Sequence, residues 1–199
     1  KKAFIFARDT TTGAWGTTAV AVITGYTDQT HFGVRVAMTD NYAIVGAHGA
    51  KKAFIFARDT TTGVWGTTAV AEITGYTGNT HFGIGVAMTD SHAIVGAYGA
   101  KKAFIFSRDP TTGAWDTTAS MEITGYTGYG DFGFGVAMTD NFAFVGARGS
   151  SKAFIFQHTC GEGMQLSGGS CVCQAGKYAI PGSSGSSVVC IPCEVGKFS

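Results

Sequence analysis

From Phe32 to Met38 apolar side chains fall at every second position, Phe32, Val34, Val36 and Met38, the period of a strand with one buried face. Thr39-Asp40-Asn41 follows, a turn cue because Asp and Asn side chains hydrogen-bond their own backbone. A short unbroken apolar run then covers Tyr42 to Ala47, and His48-Gly49-Ala50 supplies a second turn. Lys52 to Arg58 alternates again, with Phe54, Phe56 and Arg58 set against Ala53, Ile55 and Ala57. It ends at DTTTG, where Asp59 is suited to cap a turn and Gly63 to take a positive φ. A fourth run, about Trp65 to Thr74, is the least regular. No segment carries a helical apolar stripe with caps, so the chain is expected to be all-β with almost no helix.

The pattern recurs. KKAFIFARDTTTG begins at Lys1 and Lys51, KKAFIFSRDPTTG at Lys101, and SKAFIF at Ser151. A fixed period in the range of roughly 20 to 50 residues marks an array of one supersecondary unit whose core forms by stacking the copies. Four short antiparallel strands joined by Gly and Asp turns have the dimension of a propeller blade. Cysteine usage adds a boundary: residues 1–159 contain none, whereas Cys160, Cys171, Cys173, Cys190 and Cys193 crowd into the last forty residues among Gly and Ser. The expected domains are a β-repeat domain, 1–159, and a cysteine-rich module, 160–199.

The spelling resembles a known family. Phe32-Gly33, Val36-Ala37, Asp40, Val45-Gly46-Ala47 and Ala53-Phe54-Ile55-Phe56 are similar to the FG-GAP repeat, the blade of integrin-α-type β-propellers found in extracellular modular proteins. The motif returns at Phe82-Gly83 with Val95-Gly96-Ala97, and at Phe132-Gly133 with Val145-Gly146-Ala147. Calcium-binding members carry a carboxylate-rich loop, as a hard cation requires. Here Thr39-Asp40-Asn41, Thr89-Asp90-Ser91 and Thr139-Asp140-Asn141 offer one carboxylate each, so no calcium or other cofactor is expected.

Blades are few for a ring. Propellers close with about four to eight, and the repeats here make little more than three. Three readings stay open: earlier blades belong to a longer polypeptide, other chains complete the ring, or the repeats stack as an open solenoid. The chain opens in mid-repeat on Lys1, without a methionine, and a processed segment of something longer is the expectation. Near-identical copies that stack within a chain can also stack between chains, and a head-to-tail contact that does not close generates a filament. Self-association into a homopolymer is therefore expected, with other extracellular proteins or glycans as the alternative partners.

The tail is too short and too poor in large apolar residues to build a core, so disulfides are its expected scaffold, in an oxidising compartment. Five cysteines leave one whose partner lies beyond Ser199 or on another chain. Cys171-x-Cys173 with Cys190-x-x-Cys193 also gives four thiols, the donor set of a tetrahedral zinc site, as a competing reading. Cys173-x-x-Gly176-x-Tyr178 and its echo Cys193-x-x-Gly196-x-Phe198 resemble the cysteine-rich repeat of ephrin-receptor-like and tumour-necrosis-receptor-like ectodomains. That resemblance implies Cys173–Cys190 and Cys160–Cys171 bridges, with Cys193 awaiting a partner.

Charge narrows the functional classes. Fourteen basic and thirteen acidic residues give a formal net charge of +1, with neither sign gathered into a run, so nucleic acid is not an expected partner. No apolar stretch is long enough for a membrane span. His31 and His81 precede the FG pairs, where the third copy has Asp131; with no nucleophile recurring beside them, turn residues at a blade edge are the expectation. Positions that vary on the fixed frame mark a candidate interaction surface: Arg35, His48, Tyr98 and Arg148. The recurring Phe pairs (Phe4 and Phe6, Phe54 and Phe56, Phe104 and Phe106, Phe154 and Phe156) and Trp15, Trp65 and Trp115 suit packing between blades better than a sugar-stacking ladder. Thr10, Thr11, Thr12, Thr60, Thr61 and Thr62 are candidate O-glycosylation sites; no Asn-x-Ser/Thr sequon occurs. The expected protein is a non-catalytic, secreted or cell-surface structural or adhesive repeat protein, a subunit of a filament or surface appendage. The alternatives are a carbohydrate- or protein-binding propeller, or a non-catalytic portion of an extracellular enzyme.

Overall fold

A computed structural model describes residues 1–24, 26, 28, 30–74, 80–124 and 126–157, and the backbone of four strands between 164 and 192. The protein is all-β, with 47% of residues in strands and 4% in helix. The helical residues include two 3-10 turns, Tyr98–Ala100 and Arg148–Ser150. The chain divides into two compact units, Lys1–Thr139 with Ala143–Phe156, and Asp140–Phe142 with Gln157–Ser199.

Each 50-residue repeat feeds one antiparallel sheet, out of step with the KKAFIF spelling. β1 (Ala3–Ile5) and β2 (Ala21–Ile23) form the first sheet. The second runs β3 (Arg35–Met38), β4 (Tyr42–Ala47), β5 (Lys52–Ala57) and β6 (Ala71–Ile73) in chain order. The third repeats it as β7 (Gly85–Met88), β8 (His92–Ala97), β9 (Lys102–Ser107) and β10 (Met121–Ile123). The fourth holds β11 (Phe132–Met138), β12 (Phe142–Ala147) and β13 (Lys152–Gln157). Register is copied with the sequence: Val36 faces Val45, Val86 faces Val95, and Val136 faces Val145. The described strands form no closed barrel.

Two expected strands change length. The run starting at Phe32 becomes a strand only at Arg35, after positive φ of 61° at His31 and 86° at Gly33, whereas β11 already begins at Phe132 with similar positive φ at Asp131 and Gly133. The run about Trp65 to Thr74 shortens to Ala71–Ile73, with Trp65 making an isolated bridge to Arg58. Between them the DTTTG turn forms as its residues require. Asp59 Oδ1 accepts the backbone N–H groups of Thr61 and Thr62 at 2.9 and 2.7 Å, and Gly63 sits at φ 75°.

The core lies between sheets. β5 is apolar on both sides: Phe54 and Phe56 pack with Ile5 and Ile23 of the preceding sheet, while Ile55, with Ile44 and Ile73, packs under Phe82, Phe104 and Phe106 of the following one. Ile94 and Ile123 meet Phe132 and Val145 at the third junction in the same way. An aromatic face thus lies on an isoleucine face each time, and no polar or charged residue among those described is fully buried. Each such aromatic or aliphatic side chain contributes about 1.5–3 kcal/mol by leaving water. Tyr26 completes the first junction, stacked on Phe32 at 4.7 Å and edge-on to Phe54 at 4.8 Å, and Tyr126 repeats this on Phe132 at 4.5 Å.

Glycines set how closely the sheets approach. Gly83 has φ 90° and donates its N–H to the Gly96 carbonyl at 3.1 Å, and a Cβ on it would overlap the Lys52 carbonyl oxygen of the preceding sheet. A Cβ on Gly96 would in turn overlap the carbonyl oxygen of Gly133 in the sheet that follows. The glycines of FG and VGA are therefore the places where backbone lies directly on backbone.

In the second unit β14 (Met164–Ser167) pairs antiparallel with β15 (Ser170–Cys173), and β16 (Lys177–Pro181) with β17 (Val188–Pro192).

Candidate functional site

Two variable positions of each repeat converge on one run of side chains. Residues 31, 81 and 131 stand just before the FG glycine turn, with φ of 61°, 50° and 57°. Residues 48, 98 and 148 leave the ends of β4, β8 and β12. Sheet stacking interleaves the two sets. His31 stacks on His48 at 4.5 Å, His48 lies 6.2 Å from His81, and His81 stacks on Tyr98 at 4.4 Å. Tyr98 meets the edge of Phe134 at 5.7 Å. The Arg148 guanidinium covers the Phe134 ring at 4.0 Å, with Arg35 at 5.8 Å.

Arg148 is fixed by Asp131, whose Oδ2 accepts its Nη2 and Nε hydrogens at 2.8 and 3.0 Å. Arg35, exposed on β3, donates Nη1 to the Val34 carbonyl at 3.0 Å. Burial foremost, and then the positive neighbours His31, His81 and Arg35, hold the His48 pKa below its ordinary value. His48 Nδ1 and His81 Nδ1 are buried without a hydrogen-bond partner. The ladder is thus aromatic along its length, with the charged form of His48 disfavoured and guanidinium groups on the Phe134 ring.

The four variable residues singled out from the sequence, Arg35, His48, Tyr98 and Arg148, all lie on this ladder. Phe134 and Asp131, which join them, were not recognisable as members, because position 134 carries Val34 and Ile84 in the other copies. His31 and His81 occupy turns, as their place before the FG pair suggests. The side chains of Thr10, Thr11, Thr12, Thr60, Thr61 and Thr62 are all exposed.

The first Asp turn is tied to the second. Thr39 Oγ1 and Asn41 Nδ2 of one turn both donate to the Asp90 carboxylate of the next, the latter at 2.7 Å. Among the described residues no three His, Cys, Asp or Glu side chains are grouped to hold a metal ion. Cys171 and Cys173 lie on β15 opposite Leu166 and Met164, and Cys190 on β17 opposite Ala179. Cys160 and Cys193, and with them the Cys160–Cys171 bridge, fall outside the described residues.

No helix among the described residues is long and apolar enough to cross a membrane. Compared with known proteins, the chain matches no family model and no curated protein sequence.

Proposed function

We propose that the chain is a non-catalytic, extracellular structural or adhesive repeat protein, its sheets the blades of an FG-GAP-like propeller array and its tail a disulfide-rich stalk. One observation carries the reading: the recurring residues are spent on making successive junctions alike. Phe54 and Phe56, Ile44 and Ile55, and the paired glycines Gly46 and Gly83 all serve contact between sheets. Four residues that vary between copies, Arg35, His48, Tyr98 and Arg148, meet on the ladder. A rigid frame with a variable strip suits a scaffold that spaces and presents a surface.

A second reading draws on the ladder itself. Arg35 and Arg148 on Phe134, next to Tyr98, offer cationic and aromatic chemistry that a protein or acidic-glycan partner could engage. Fold alone does not exclude chemistry at such a surface. The deciding experiment applies antibodies against residues 1–159 to intact cells and their surroundings. Labelling without permeabilisation is expected. Labelling that requires permeabilisation would overturn the extracellular reading, and loss of label after glycan competition or digestion would favour the second.

A further inference from the structure

The repeats bury an aromatic face against an isoleucine face at each internal junction, and among the described residues one face of each kind is left uncovered. Phe4 is 54% exposed where its equivalent Phe54 is fully buried, and Phe6 is likewise open. At the other end of the array, Ile155 is 71% exposed and Phe144 is also open, although the equivalent Ile55 and Ile44 are fully buried.

We propose that the aromatic face of the first sheet, bearing Phe4 and Phe6, docks the face bearing Phe144 and Ile155 of a second copy of this chain, head to tail. The contact continues an interface the molecule already makes. Ile44 and Ile55 cover the third sheet's aromatic face, and Phe144 and Ile155 stand at the same places one hundred residues on. Because the two faces differ, the contact is heterologous, so it adds subunits in one direction until the stack closes or becomes a filament. The inference rests on the scaffold reading for its use, and its test does not depend on where the protein resides.

The test is sedimentation of the 199-residue chain from micromolar to submillimolar concentration, with Phe4→Glu and Ile155→Glu as variants. Both side chains face solvent in the single chain, so each variant should keep its circular dichroism spectrum and melting temperature. The unmodified chain is expected to grow in mass with concentration. Each variant alone should stay monomeric, and an equimolar mixture should form a dimer and nothing larger, since each still carries the face the other lacks. Phe6→Glu and Phe144→Glu repeat the test if either first variant folds poorly. A wild-type chain that stays monomeric throughout would overturn the proposal and leave a further repeat of the same polypeptide as the occupant. Variants that associate like wild type would overturn it too.

Discussion

Gly96→Ala and Gly146→Ala make the same change in the same Val-Gly-Ala spelling, and the stacking geometry separates their effects. A Cβ on Gly96 overlaps the Gly133 carbonyl oxygen and lies 2.9 Å from its carbon and 3.4 Å from Val136 Cγ1. The obstruction is backbone, so relief requires the third and fourth sheets to part, loosening the contact of Ile94 and Ile123 with Phe132 and Val145. Overpacking of this kind typically costs about 1–3 kcal/mol, and lost burial adds to it. A Cβ on Gly146 meets only the Gly135 oxygen at 3.5 Å and nitrogen at 4.0 Å, which is ordinary contact, while Ala gains about 0.5–1 kcal/mol over Gly in a regular strand. With a melting shift of about 2–4 °C per kcal/mol for a unit of this size, Gly96→Ala should melt lower by roughly 5–10 °C and Gly146→Ala no lower than wild type. Thermal unfolding followed by circular dichroism reads both. Equal melting temperatures for the two variants would refute the account of the glycines as contact points between sheets.

Phe54→Ala removes a fully buried ring and should cost about 3–5 kcal/mol, whereas Phe4→Ala, at the same place in the first copy but half exposed, should cost less than about 1 kcal/mol in dilute monomer; chemical denaturation measures both. His48 has its pKa lowered by burial first and by its positive neighbours second, so the unfolded chain takes up that proton before the folded one. Its contribution is neutral above the ordinary His value and turns destabilising as pH falls through it towards the folded value; melting temperature should decline between about pH 7 and 5, and His48→Gln should flatten the decline. Asp9, Asp59 and Asp109 are shifted down by the backbone N–H groups of the Thr residues that follow them. The stability they add is present above the ordinary Asp value and lost as pH falls through the lower folded one, so Asp59→Ala should shrink a second, more acidic loss of stability. For the tail, mass analysis without reduction should find Cys173 joined to Cys190 and a chelator should leave the fold intact; free thiols at both positions, or unfolding by chelator, would favour the zinc reading.

The fold was legible wherever a local cause decides it. Asp59 and Gly63 announce their turn because a side-chain acceptor and a positive φ are properties of those residues alone. The unbroken apolar run Tyr42 to Ala47 becomes the strand β4, buried on both faces, and Phe54 and Ile55 alternate because each serves a different neighbouring sheet. What could not be read depends on stacking. Phe4 and Trp15 share the spelling of buried residues yet are exposed, since burial is decided by the adjacent sheet rather than by the residue. The ladder was half visible: variation marked Arg35, His48, Tyr98 and Arg148, but their meeting at His81 and Phe134 joins positions on successive sheets that only packing brings together. The left-handed Lys51, Lys101 and Ser151 that close the turns after β4, β8 and β12 carried no signal, because lysine and serine do not ordinarily mark that conformation.

The most direct test of a scaffold acting by shape rather than by chemistry is immunogold electron microscopy of native material with an antibody against residues 1–159. The account expects gold at regular spacing along an extracellular fibre or layer, and that structure to be lost or thinned when the protein is depleted. Gold dispersed inside cells, with extracellular structures unchanged on depletion, would contradict it.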